Sequence, residues 1–327
     1  MKPNLTCILQ QPFIFNNVIQ KQRVIQKTIL SRALNTSTVL SSEKLCFVEK
    51  LGGEDKGISI ININNPATKN AFSRNLLREF RDTVNNLRFE NDSRVVLLRS
   101  LVDRTFCSGA DLKERINMSE LEIKEFLHNL QGAFRDLERL PVPTIAVIDG
   151  ICVGGGLELA LCCDMRVAGE HSKIGLPETK LGIIPGAGGT QRLSRAIGVA
   201  KAKELIFTGR IVSAKGALED GIVNYATVEG SSMAIAMNIA KQILPCGPIA
   251  IRMAKLAIDR GSQLDLDSAL EFEQTCYAQV IHTEDRIEGL KAYKEKRQPL
   301  LKAEPIKSRI SRVMLEPPRA ENLLSSN

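Results

Sequence analysis

The stretch 141–195, PVPTIAVIDGICVGGGLELALCCDMRVAGEHSKIGLPETKLGIIPGAGGTQRLSR, constrains this chain more than any other part of it. Five strand-forming residues, Thr144 to Ile148, run into a turn at Asp149 and Gly150. Gly154, Gly155 and Gly156 then interrupt the apolar sequence before a helix start that carries one acid, Glu158. Three successive glycines are poor helix and strand formers, so they mark a sharp change of chain direction with open backbone N–H groups. A second isolated acid, Glu178, follows Pro177 twenty residues later. Two carboxylates in apolar surroundings beside a glycine turn suggest acid/base chemistry at an oxyanion site.

A second loop of the same kind comes earlier. The segment GADLKE, residues 109–114, follows the apolar run RVVLLRS at 94–100. Gly109 permits a tight turn that can aim the N–H of Ala110 into a pocket, while the Gly155 N–H opens a helix whose dipole favours negative charge. Two amides converging on one oxygen suit a thioester carbonyl that becomes an enolate. Taken singly, each loop is equally accounted for by tight turns or close helix packing. Burial of Glu158 among Leu157, Leu159, Ala160 and Leu161 should raise its pKa. Glu178 sits in a comparable setting, although a surface or salt-bridged glutamate fits each position too, and Lys180 lies near Glu178. GAGGTQR, residues 186–192, lacks dinucleotide-loop spacing and a P-loop lysine, and reads as a turn packing under Glu178.

Around these loops the pattern alternates. Residues 44–50 and 58–63 read as strands, and Ser73 caps a helix with Leu76, Leu77, Phe80, Val84 and Leu87 at helical spacing. Ser119 and Glu122 form a capping box for a helix containing Phe126, Leu130, Phe134 and Leu137. Helices at 199–208, 231–244, 248–260, 265–281 and 283–296 dominate the later chain. The expectation is an α/β core followed by a helical C-terminal part within one domain. Cys162 and Cys163 are placed inside a helix, as packing residues.

Charge is informative by its position. Of the net +7, five charges come from Lys2, Lys21, Arg23, Lys27 and Arg32 in residues 1–42, which hold no acid, leaving +2 for 43–327. The body gives no global argument for nucleic acid. The basic, acid-free, Ser/Thr/Asn/Gln-rich segment 1–42 has the composition of a mitochondrial transit peptide and also fits an unstructured tail. No apolar run approaches the roughly 18 residues of a membrane span. Eight cysteines without metal-type spacing suit a reducing compartment, and three dispersed histidines give no support to a metal site or a Ser-His-Asp triad. Arg74 and Arg78 lie one turn apart beside Lys69 and Arg81; an RNA-contacting helix has this pattern, and so does a solvated one with Glu79 and Asp82 interleaved.

The motifs FCSGADLKER, IDGICVGGGLELALCCDMRVA and GLPETKLGIIPGAGGTQRL together resemble the enoyl-CoA hydratase/isomerase (crotonase) superfamily over residues 44–303. GADLKERINMS, AKELIFTGR and CYAQVIHTEDRIEGLKAYKEKR are similar to its AU-binding methylglutaconyl-CoA hydratase branch and to the neighbouring branch of enoyl-CoA hydratase domain-containing protein 2. The resemblance implies a spiral of ββα units with a C-terminal helical trimerisation region and a catalytic domain at 43–303; residues 304–327, outside it, carry Pro, Arg and Ser with little periodicity and read as a disordered tail. It implies an oxyanion hole from the N–H groups of Ala110 and Gly155, with Glu158 activating water and Glu178 delivering a proton. It also implies a CoA-binding set of Ala110, Asp111, Leu112, Lys113, Gly155 and Lys296, the last approaching CoA from a neighbouring subunit. The reaction implied is hydration of a 2-enoyl-CoA in the mitochondrial matrix by a homotrimer or homohexamer, with no metal, no redox cofactor and no membrane insertion. Isomerisation of a 3-enoyl-CoA is the alternative within the fold, and RNA binding the alternative of another class. Asn65, Ser108 and Cys152 depart from the usual residues of the family without removing a catalytic group.

Overall fold

The structure, a computed structural model, describes residues 44–228 and 231–302. The expected transit peptide at 1–42 and the expected tail at 304–327 lie outside the described residues.

Six strands make the larger sheet: β1 (Cys46–Lys50), β2 (Ile58–Ile63), β3 (Val95–Ser100), β5 (Thr144–Ile148), β7 (Met165–Gly169) and β10 (Tyr225–Thr227), in that spatial order. β1 runs antiparallel to β2, and every other pairing in this sheet is parallel. Parallel strands must be covered on both faces. Alternate residues of β2, β3 and β5 divide accordingly. Ile58, Ile60, Val95, Leu97, Ile145 and Val147 enter one core, which Ala236 and Ala240 of α8 (Ser232–Ile243) complete. Ile61, Ile63, Val96, Leu98, Ala146 and Ile148 enter the larger core on the opposite face.

That larger core is closed by α1 (Arg74–Phe89) and α3 (Glu120–Glu138). Ser73 caps α1 by accepting from Leu76 N, and Ser119 and Glu122 form the expected reciprocal capping box on α3. Phe72, Phe80 and Phe134 meet edge to face with ring centroids 5.2 to 6.2 Å apart. Each such contact contributes about 0.5–1.5 kcal/mol beyond burial.

The second sheet consists of β4 (Thr105–Cys107), β6 (Ile151–Val153), β8 (Lys173–Gly175) and β9 (Val212–Ser213). Three times in succession the chain places one strand in the large sheet, the next in the small sheet, and then turns into a helical segment. This is the spiral of ββα units that the resemblance implies. The small sheet itself was not expected from periodicity, since strands of two or three residues are too short to display one. The helix expected to run through Cys162 and Cys163 ends before them. This helix, α4 (Gly155–Ala160), is six residues long, and both thiols lie in the turn that follows. They are buried, and the seven cysteines among the described residues are all free thiols.

Among the described residues, no single helix is long and apolar enough to cross a membrane. Helices α9 (Pro248–Gly261), α10 (Leu266–Ile281) and α11 (Glu284–Glu295) form the C-terminal region. They leave Ile258, Leu266, Tyr277, Leu290 and Tyr293 more than half exposed, an apolar surface of the kind that marks association.

Candidate active site

The spiral brings both glycine loops to one cleft, formed where β4, β6 and β8 of the small sheet end. Ser108, Gly109 and Ala110 follow β4, Gly154 and Gly155 follow β6, and Pro177 and Glu178 follow β8. Gly154 has φ +54° and ψ −127°, a conformation closed to residues with a side chain, and it lets the chain swing from strand to helix within one residue. Gly156 answers to space. A Cβ there would lie 2.2 Å from the carbonyl oxygen of Cys107, so the β4 loop can approach α4 only over a bare Cα.

The two loops expected to supply amides lie against each other. A Cβ built at Gly155 would stand 3.6 Å from Ala110 N, which places the two backbones side by side. Phe72 N donates to Gly109 O at 2.8 Å and Asp111 N donates to Phe72 O at 3.1 Å. In this parallel bridge the N–H of the intervening Ala110 points away from Phe72. Gly155 is the first residue of α4, where the N–H has no carbonyl of its own helix to meet. The pair is therefore available to an oxygen in the cleft.

Glu158 is 3 % exposed. Its Oε1 accepts from Ala187 N and Gly189 N, each at 2.7 Å. Loop 186–189 thus packs on Glu158, correcting its expected place under Glu178. The loop is anchored in turn: Arg192 donates to both carboxylate oxygens of Glu138 at 2.8 Å and to Ala187 O at 3.0 Å. Burial pushes the Glu158 carboxyl above its ordinary value, while the two amides, Arg192 and Arg115 pull the other way.

Glu178 contrasts with it. It is 9 % exposed, and its Oε2 is buried with no hydrogen-bond partner. The alternative of an ion pair with Lys180 is not among the ion pairs of the described residues, and the Lys180 stem lies against Gly209 instead. Desolvation, helped by the nearby charge of Glu158, lifts Glu178 to about 7. One cleft thus holds two carboxyls that burial raises, Glu158 with two fixed amides and two arginine charges opposing the rise and Glu178, lifted to about 7, with a buried oxygen that has no partner. Environments that separate two carboxyls in this way suit one to proton abstraction and the other to proton donation.

Of the other expected residues, Leu112 lines the cleft. Asp111 turns onto the N–H groups of Lys113 and Glu114 at 3.0 and 3.2 Å, capping the single helical turn α2 (Leu112–Arg115) that replaces the expected open loop. Lys113 is exposed beyond Leu112, and Lys296 ends α11 and does not line the cleft. Arg115 does line it, a residue the sequence reading passed over although it closes the FCSGADLKER motif. Arg74 is held by Glu122 at 2.8 Å and by Glu114 at 3.9 Å, so half of the Arg74/Arg78 pair is already neutralised within the chain. The cleft encloses about 80 Å³, room for roughly six water-sized atoms. A larger cavity of about 680 Å³ lies between α3, α5 (Gly189–Ile197) and α9, behind Arg192; several arginines and glutamines line it, and of its two carboxyls, Glu138 and Asp259, the first is bound by Arg192.

A family model described as enoyl-CoA hydratase/isomerase matches residues 53–304. The chain is 48% identical over 253 residues to a probable mitochondrial enoyl-CoA hydratase 2 of Arabidopsis thaliana, covering 77% of this chain and 84% of the relative. It is 46% identical over 272 residues to the mitochondrial methylglutaconyl-CoA hydratase of Homo sapiens, covering 82% and 80%. Its structure superposes on the crystal structure of an enoyl-CoA hydratase from Bacillus anthracis with a TM-score of 0.77 and 44% identity, over 80% of this chain and all of that one.

Proposed function

Given that the chain belongs to the enoyl-CoA hydratase/isomerase family, we propose that it is a hydro-lyase adding water across the double bond of a short 2-enoyl-CoA in the mitochondrial matrix. The observation that carries the reading is the unequal pair: Glu158 fixed by two amides, Glu178 lifted to about 7 with a free oxygen. The thioester oxygen accepts from Ala110 N–H and Gly155 N–H, which draws electrons from Cβ. Glu158 orients a water and takes its proton as the oxygen attacks Cβ. The enolate that forms is held by the two amides, and Glu178 gives its proton to Cα. Hydroxide at Cβ and hydrogen at Cα account for one water, and exchange with solvent restores both glutamates.

CoA enters as part of the substrate and no other cofactor takes part. Asp111, Leu112 and Lys113 flank its entry, and Lys296 reaches it from a neighbouring subunit. The uncovered apolar face of α9 to α11 supports a homotrimer or homohexamer. The acid-free basic segment 1–42 and the mitochondrial names of the relatives support the location. The relative named for methylglutaconyl-CoA makes that thioester one candidate substrate, beside straight short-chain enoyl-CoAs. Retention of two glutamates favours hydration over isomerisation, which can run on one.

Purified protein should hydrate crotonyl-CoA, followed by loss of the conjugated thioester absorbance, and Glu158→Gln should slow it by about 100-fold or more. Full activity in that variant would refute the mechanism.

A further inference from the structure

The walls of the cleft are built from Leu127, Leu130, Leu181, Ile183 and Ile184, yet they include one guanidinium, that of Arg115. It is partly buried, with its charged carbon 5.8 Å from the centroid of the Phe126 ring, which fixes its plane over an aromatic face. The acids nearest to it in the chain are taken by another residue. Glu114 receives the Arg74 backbone N–H at 3.0 Å, and Glu122 receives the Arg74 guanidinium at 2.8 Å and the Ser119 N–H at 2.8 Å. No ion pair among the described residues includes Arg115. An arginine with a partner serves the fold, whereas this one presents its donors to the same space as the reacting glutamates.

Its side of that space can be assigned. Arg115 packs on Phe126 of α3, and the same helix meets the loop that holds Glu158, with Leu127 beside Gly186 and Gln131 donating to Gly186 O at 2.6 Å, so Arg115 stands on the Glu158 side of the cleft. In the reaction above, Glu158 serves Cβ and Glu178 serves Cα, so an acyl chain continues from Cβ past Glu158 towards Arg115. An aliphatic chain end gains nothing from a half-desolvated cation there. A carboxylate at the chain end would meet it as a planar, paired hydrogen-bond acceptor, the geometry a guanidinium fork matches best.

We propose that Arg115 is the specificity-determining residue for an enoyl-CoA whose acyl chain ends in a carboxylate, bound through paired hydrogen bonds to its guanidinium. The proposal rests on the hydratase reading for its turnover and on ligand binding alone for its independent test. Glutaconyl-CoA and 5-methylhex-2-enoyl-CoA have acyl groups of nearly the same shape, one ending in a carboxylate and the other in two methyls.

The full-length protein should favour glutaconyl-CoA in kcat/KM, and Arg115→Met should reduce that preference by roughly 10- to 100-fold, the range of a charge-assisted hydrogen bond. Arg115→Lys should restore part of it, since a lysine keeps the charge and loses the fork. Calorimetric titration with the saturated analogues, glutaryl-CoA and 5-methylhexanoyl-CoA, reads the same discrimination without turnover. A protein that hydrates neither substrate but binds glutaryl-CoA selectively through Arg115 would refute the hydratase reading and uphold this one. Equal weakening of both ligands in Arg115→Met would mean that the guanidinium serves the CoA phosphates or Glu158, and would overturn the proposal. So would a wild-type protein with no preference between the two analogues, a result that needs no variant to fold.

Discussion

Replacing Glu178 by Gln separates the cost of holding this carboxyl in the cleft from its use in the reaction. Its pKa is raised from 4.5 in the ordinary group to about 7 in the folded protein by burial and by the charge of Glu158. Between those two values the native state binds more protons than the unfolded chain, so Glu178 makes stability fall as pH rises through that window. The penalty is complete above about pH 7 and absent below about pH 4.5. Lifting a carboxyl by that much costs the charged form about 3 kcal/mol, and solvent screening at the cleft mouth reduces this to about 1–2 kcal/mol. The uncharged Gln has no such slope. Its amide leaves one donor without a partner, but that offset is the same at every pH. Glu178→Gln should therefore gain about 1–2 kcal/mol on the wild type between pH 5 and pH 8, or roughly 3–6 °C in relative Tm. The measurement is thermal unfolding of both proteins at several pH values across that window. In parallel, hydration by the wild type should decline above about pH 7 as Glu178 loses its proton, and the variant should be slower by about 100-fold or more. A stability difference that stays flat with pH would show that burial does not hold this carboxyl protonated, and the assignment of Glu178 as the acid would fall with it.

Arg192→Met should release loop 186–189 from Glu138 and let the Ala187 and Gly189 amides drift from Glu158. Turnover should fall roughly 10-fold or more with little change in KM, and the basic requirement in the pH profile should move upward; an unchanged profile would deny Arg192 a positioning role. Gly156→Ala should cost about 2–4 kcal/mol in urea unfolding, because the new methyl would meet the Cys107 carbonyl at 2.2 Å. Gly132→Ala, in α3 with nothing within 4 Å of the added methyl, should instead stabilise by about 0.5–1 kcal/mol.

Much of the large sheet and its flanking helices is legible in the sequence because the signals are local. The alternation of β2, the Ser73 cap and the Ser119/Glu122 box are written within a few residues of where they act. The same holds for the candidate site as a set of parts: two glycine loops and two acids in apolar sequence are visible without knowing what they face. What each part faces is a property of the spiral. The small sheet exists because strands of two or three residues find partners about 20 to 50 residues away, and no periodicity can show in so short a run. Loop 186–189 meets Glu158, not Glu178, because β8 and the turn after it carry the chain back over α4. Arg115 stands unpaired in the cleft because Arg74, some forty residues earlier, has taken the neighbouring acids. Residue types and local backbone geometry are fixed by short stretches of chain, whereas charge balance and desolvation depend on which distant stretches the fold brings into contact.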